Sequence, residues 1–127
     1  MKRDMELIRK ILLEIEEKFE PGLGILHGVS IEGYDKFTIG DHCELIYQAG
    51  LITDYKDRRG GQGNKLLMFS VGKLTNRGHD YLELIRNDEV WKKTEKEVAE
   101  KKLPNTIETY GTVAASIVGA FLRELNR

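Results

Sequence analysis

The residues best placed to do chemistry in this chain are cations set among glycines. In the stretch KDRRGGQGNK, Lys56, Arg58, Arg59 and Lys65 stand against the single acid Asp57, with Gln62 and Asn64 as neutral donors between them. Charged donors at this density can contact several phosphates, each adding to a salt-dependent affinity. The planar arginine fork suits bidentate phosphate contact better than an ammonium does. The same charges on a solvated hairpin end would instead keep its strand edges from pairing with another chain. The residues fit both readings.

Little else points to chemistry. His42 stands beside Cys43, and His27 and His79 complete the histidines; none has a partner at helical i+4 spacing or in a CxxC-like motif, so no metal site is expected. His42 is expected to border the core beside Ile39. In GHDYLE, His79 and Asp80 are neighbours, and adjacent helical residues point apart, so His79 is read as a hydrogen-bonded residue at a helix start. Ser30, Ser70 and Ser116 lack a G-x-S-x-G context, and GGQGNK lacks the spacing of a G-x-x-x-x-G-K-[ST] phosphate loop. No catalytic residue and no cofactor is expected, and the chain reads as non-enzymatic.

Composition sets outer bounds. The chain has 127 residues, enough for one domain with an appended helix and a core that needs no staples. Twenty basic residues against 21 acidic ones leave a net charge of -1, so no global field draws it onto nucleic acid or anionic lipid, and any such binding must be local. With Cys43 as the lone cysteine, no internal disulfide can form, which fits a reducing compartment and a cytoplasmic location. The start MKRDMELIRK leads into no unbroken apolar run, and the uncharged stretch Thr109 to Leu122 is too short to span a bilayer, so no membrane association is expected.

The elements that must position the cations follow from periodicity. Met5, Ile8, Leu12, Ile15 and Phe19 recur at steps of three and four, predicting an amphipathic helix from Asp4 to Phe19. Pro21, Gly22, Gly24 and Gly28 then break the chain, and Val29 to Glu32 is expected as a short strand. Thr38, with Asp41 three positions on, reads as the cap of a helix that runs to Ala49, stops at Gly50 and buries Ile39, Cys43 and Ile46. Leu51–Tyr55 and Leu66–Val71 are predicted to pair as a ribbon with KDRRGGQGNK as its loop. Thr75 caps a helix carrying Tyr81, Leu82 and Ile85; a second helical stretch follows Asn87 and reaches Lys102; and Asn105 with Glu108 opens a last helix to Arg127.

Helix, short strand, helix, ribbon with a glycine-rich tip, then further helix is the element order of a winged helix. The segments MKRDMELIRKILLEIEE, YQAGLI and LTNRGHDYLELIRNDEVWKKT sharpen this, the last most of all. Over Met1 to about Lys102 the chain resembles an uncharacterised, prophage-associated bacterial family of winged-helix-like proteins, relatives of the YjcQ group. The resemblance implies a fold and a phage or mobile-element setting, without an activity. The expected class is therefore α+β, with a winged-helix-like domain over residues 1–87 and C-terminal helices over 88–127. Glu20 to Phe37 leaves little room for the supporting helix, which is expected to be reduced or missing.

In a DNA-binding winged helix the Thr38–Ala49 helix would enter the major groove. Its outward residues Lys36, Gly40, Asp41, Glu44 and Gln48, with Tyr47 at the edge, carry more negative than positive charge, and carboxylates facing phosphates repel. Double-stranded DNA is thus expected to meet mainly the ribbon, through Lys36, Lys56, Arg58, Arg59, Gln62, Asn64 and Lys65. The competing reading is a protein-interaction module whose acidic helix face docks onto a basic host or phage protein. In the last helix Gly111, Ala115 and Gly119 recur every four residues beside Tyr110, Val113, Ile117 and Phe121. This stripe can pack within the chain, or form the seam of a homodimer if the charged Asp88–Lys102 stretch holds the helix away from the body; the dimer is the expectation taken forward.

Overall fold

A computed structural model describes all residues from 1 to 127. It is α+β, with five helices and one two-stranded antiparallel sheet. Helix α1, Met5–Lys18, is capped by Asp4, whose carboxylate accepts from the Leu7 N–H at 3.0 Å. Glu6 in its first turn and Lys18 in its last complement the helix dipole. Its apolar face, Met5, Leu7, Ile8, Ile11, Leu12 and Ile15, supplies much of the core.

No helix lies between Lys18 and Lys36. The strand expected over Val29–Glu32 is also absent. Instead Leu26 alone bridges Val71, donating at 2.9 Å and accepting at 3.0 Å. Gly28, at φ 93°, turns the chain off the sheet two residues later and sends Val29 into the core. Helix α2, Lys36–Gln48, begins earlier than Thr38 because Asp35 is its cap: the Asp35 carboxylate accepts from the Thr38 N–H at 2.8 Å and from its hydroxyl at 3.1 Å. Those bonds hold the Asp35 carboxyl below its usual range. Ile39, Cys43 and Ile46 are buried as expected, and Gly50, at φ 78°, ends the helix.

The ribbon is displaced along the sequence. Strand β1 is Tyr55–Gly60 and β2 is Lys65–Val71. Of the segment expected to begin the first strand, Leu51 and Ile52 are buried and only Ile52 bridges, to Leu74. Lys56 to Arg59 are therefore strand residues and only Gly61–Asn64 remain as the turn. A two-stranded ribbon needs just one apolar face, so the polar run KDRR pairs as well as an apolar one would. The ladder slips between Arg58, opposite Met68, and Arg59, opposite Leu66, which leaves Leu67 as the extra residue of a β-bulge.

Helix α3, Asn76–Ile85, is capped by Thr75, which accepts from Gly78 N–H at 3.0 Å and donates to the Gly50 carbonyl at 2.6 Å. Helix α4, Asp88–Glu100, is capped by Asn87, and α5, Ile107–Leu125, by Thr106. Asn105, the cap that the sequence pattern suggests for α5, ties the chain start down instead, donating to the Arg3 carbonyl at 2.7 Å. Alternating charge on α4 does not hold α5 away. Val90, Trp91, Thr94 and Val98 face inward, the Trp91 and Tyr110 rings stand 5.3 Å apart, and one cluster of 24 buried residues runs from α1 through α5.

Candidate nucleic-acid interface

Strand alternation divides the expected cations between two faces of the ribbon. On the face toward α2, Tyr55 and Asp57 lie opposite Val71 and Phe69, and Arg59 lies opposite Leu66. Arg59 is committed there. Its Nε donates to Asp57 at 3.0 Å and its Nη2 to Asp41 on α2 at 3.2 Å, bonds that raise its pKa further. Burial opposes ionisation of Asp57, but hydrogen bonds from the Tyr55 hydroxyl, at 2.8 Å, and from Arg59 outweigh it and hold the carboxyl below its usual range. Arg59 thus locks the ribbon to α2.

The opposite face carries the free charge. Lys56 and Arg58, opposite Ser70 and Met68, are exposed and take part in no ion pair. Lys36, at the start of α2, joins them: its Nζ donates to the Leu67 carbonyl at 3.2 Å and lies 5.4 Å from the Phe37 ring centroid. Together with His27, Ser30 and Ser70 these cations line an open groove of about 480 Å³ between the ribbon and the His27–Ser30 segment. Its one acid, Asp57, is held to Tyr55 and Arg59. Gln62, Asn64 and Lys65 stand at the exposed tip, where Asn64 adopts φ 51°. The seven expected contacts therefore fall into an outer group of three, a tip group of three and an occupied Arg59. The sequence pattern does not single out His27, Ser70, Leu67 or Met68: the last three join the face through the register and the bulge, and His27 through the Leu26–Val71 bridge beside it.

Helix α2 offers less than its position suggests. Gly40, expected to point outward, is buried under the ribbon, where an added Cβ would lie 2.4 Å from Leu66 and 3.2 Å from Phe69. Asp41 is paired with Arg59, leaving Glu44, Tyr47 and Gln48 as its remaining outward set. His42 is fully buried; its Nε2 accepts from the Asp4 N–H at 2.9 Å, so its Nδ1–H donates to the Thr38 carbonyl at 2.8 Å. This neutral tautomer joins α1 to α2. His79 is exposed and its ring makes no hydrogen bond, unlike the expected helix-start contact, and no group of three metal-ligating side chains occurs.

The apolar side of α5 is largely used inside the chain, whereas in the small-residue stripe Gly111 alone meets another helix: Ala115 is exposed and Gly119 faces only Arg123 of its own helix. Tyr110 is buried against Trp91, Gly111 faces the Tyr81 ring, and Val113 and Ile117 pack on the core. Of the four residues expected at a dimer seam only Phe121 stays exposed, with Leu122 and Leu125 beyond it and Lys93 over its ring at 4.8 Å. No helix is long and apolar enough to cross a membrane.

Residues 2–104 match the family described as Hypothetical protein (DUF2513), and the chain belongs to that family. It is similar to an uncharacterised protein of Haemophilus influenzae, 34% identical over 124 residues that cover 96% of this chain and 99% of that one. No solved structure matches.

Proposed function

We propose that this chain is a small, non-enzymatic, winged-helix-like regulator that holds double-stranded DNA on the outer face of its ribbon. The observation that carries the reading is the grouping of Lys36, Lys56 and Arg58 on one face, none with a carboxylate partner. The winged-helix reading is supported by the element order and by the Leu26 bridge to Val71, which stands where a first strand would join the wing. A phage or mobile-element origin rests on the resemblance of LTNRGHDYLELIRNDEVWKKT, and a cytoplasmic location on the lone cysteine. Homodimerisation belongs to the proposal through Phe121, Leu122 and Leu125. A docking module using the acidic face of α2 has less behind it, because Arg59 already neutralises Asp41.

Fluorescence anisotropy of labelled duplex DNA tests the reading. Three phosphate contacts give a slope of log affinity on log salt of about -2.7, and Lys56→Ala/Arg58→Ala is expected to reduce it to about -0.9. No binding at low salt, or a slope unchanged by that variant, would refute it.

A further inference from the structure

The bulge in β2 leaves two consecutive apolar side chains in solvent in the middle of the cationic face. Leu67 is 51% and Met68 56% exposed, although a regular pleat would turn one of any two neighbours inward. Arg58 lies directly across the ladder from Met68, and Lys36 is fastened to the Leu67 carbonyl. A single exposed leucine carries no message. Two adjacent apolar groups, held on a paired strand and rimmed by uncompensated cations, match a polyanion whose interior is apolar. Duplex DNA has that structure, with phosphates outside and stacked base faces within.

Resting on the reading of the ribbon face as a DNA contact, we infer that Leu67 and Met68 form a wedge that enters between base steps while Lys36, Lys56 and Arg58 hold the flanking phosphates. Binding then kinks the duplex. Leucine and methionine are among the side chains that part base steps in this way, with kinks of roughly 20–90°. Pyrimidine–purine steps unstack most easily and stiff A-tracts resist, so the preferred sites are set by deformability instead of hydrogen-bond readout.

The test is a duplex of about 20 base pairs with a central TA step, labelled at its ends with a donor and an acceptor and titrated with the full chain at low salt. Anisotropy and energy transfer are read on the same samples. Both are expected to rise with one midpoint. Leu67→Ala/Met68→Ala, at exposed positions that leave the core intact, is expected to hold the anisotropy midpoint within about threefold because the phosphate contacts remain, while energy transfer stays at the free-duplex value. Replacing the TA step by an A-tract is expected to lower the transfer reached by the unaltered chain. Binding without a rise in transfer, or a double variant that bends DNA as the parent does, overturns the wedge and leaves the ribbon reading standing. No anisotropy change at low salt removes both.

Discussion

Replacing Arg9 by methionine asks whether a cation inside the helical core is there to close the end of another helix. The Arg9 side chain is 9% exposed; its Nε donates to the Ile85 carbonyl at 2.8 Å, and its Nη2 to the Arg86 carbonyl and to Asp88, both at 2.7 Å. The guanidinium also lies 5.5 Å from the Trp91 ring centroid. Carbonyls at the end of α3 lack intrahelical partners; that of Ile85 is buried away from water and that of Arg86 partly so. Methionine keeps much of the stem's bulk and removes every donor, orphaning two carbonyls at about 1–3 kcal/mol each and a cation–π contact of about 1 kcal/mol. Removing a buried cation returns part of its dehydration cost. The net loss works out at about 3 kcal/mol, or about 10 °C in Tm for a chain of this length. Arg9→Lys is expected to fall between, since one ammonium cannot span both carbonyls. Asp88, 84% exposed, is the control, and Asp88→Ala should cost at most about 1 kcal/mol. Urea and thermal unfolding followed by circular dichroism measure all three. An Arg9→Met loss no larger than that of Asp88→Ala would refute the argument.

Gly78→Ala supplies a test of sign: in an open helix it stabilises by about 1 kcal/mol, whereas here the new Cβ would lie 2.0 Å from the Leu51 carbonyl oxygen. A loss of about 3 kcal/mol by urea unfolding is expected, and any gain would contradict the packing. Glu95 is held above its usual pKa by partial burial first and by the charge of Glu6 second. A carboxyl raised in the folded state contributes most below the ordinary glutamate range and loses that contribution as pH rises through its raised value. Glu95→Gln is therefore expected to raise Tm near neutral pH and leave it little changed at about pH 4, where the parent is protonated too; the opposite order would exclude this cause. Leu122→Ser/Leu125→Ser is expected to weaken self-association in sedimentation velocity, and a parent chain that stays monomeric at the highest concentrations would remove the dimer.

Helices were legible where cap and stripe agree. Thr75 caps where its sequence pattern places it, the break read at Asn87 is the start of α4, and the α1 stripe is buried from Met5 to Ile15 as its spacing predicts. Asp35 and Thr106 take the places of the expected caps Thr38 and Asn105 because several polar residues compete at each start: Thr38 itself donates to Asp35, and Asn105 is drawn off to the distant Arg3. Arg9 was hidden because its partners lie 76 to 79 positions away. The site was legible as composition and illegible as geometry. Lys56, Arg58 and Arg59 look equivalent in a row, yet pairing register turns Arg59 toward Asp41 and the other two toward solvent. Nothing local announces the Leu67 bulge, since it depends on the register in which Arg59 and Gly60 of the opposite strand resume pairing. The α5 stripe is ambiguous for a related reason: small residues permit close packing without saying whether the neighbour is α3, as it is for Gly111 against Tyr81, or another copy.

Cys43 turns the burial of α2 into a measurement. Its thiol is fully enclosed, and that burial pushes its pKa up to about 12, so reagents attacking the thiolate find neither an ionised sulfur nor a path to it while the chain is closed. Gly40, one helical turn earlier, is pinned beneath Leu66 and Phe69, so an opening that lifts the ribbon disturbs α2 within one turn of Cys43. The rate of thiol capture in native buffer thus counts how often α2 loses its cover, partings from the ribbon among them. A polyanion gripping the outer face would slow that clock in proportion to its occupancy, and the chain's only sulfhydryl would report on a ligand it never touches.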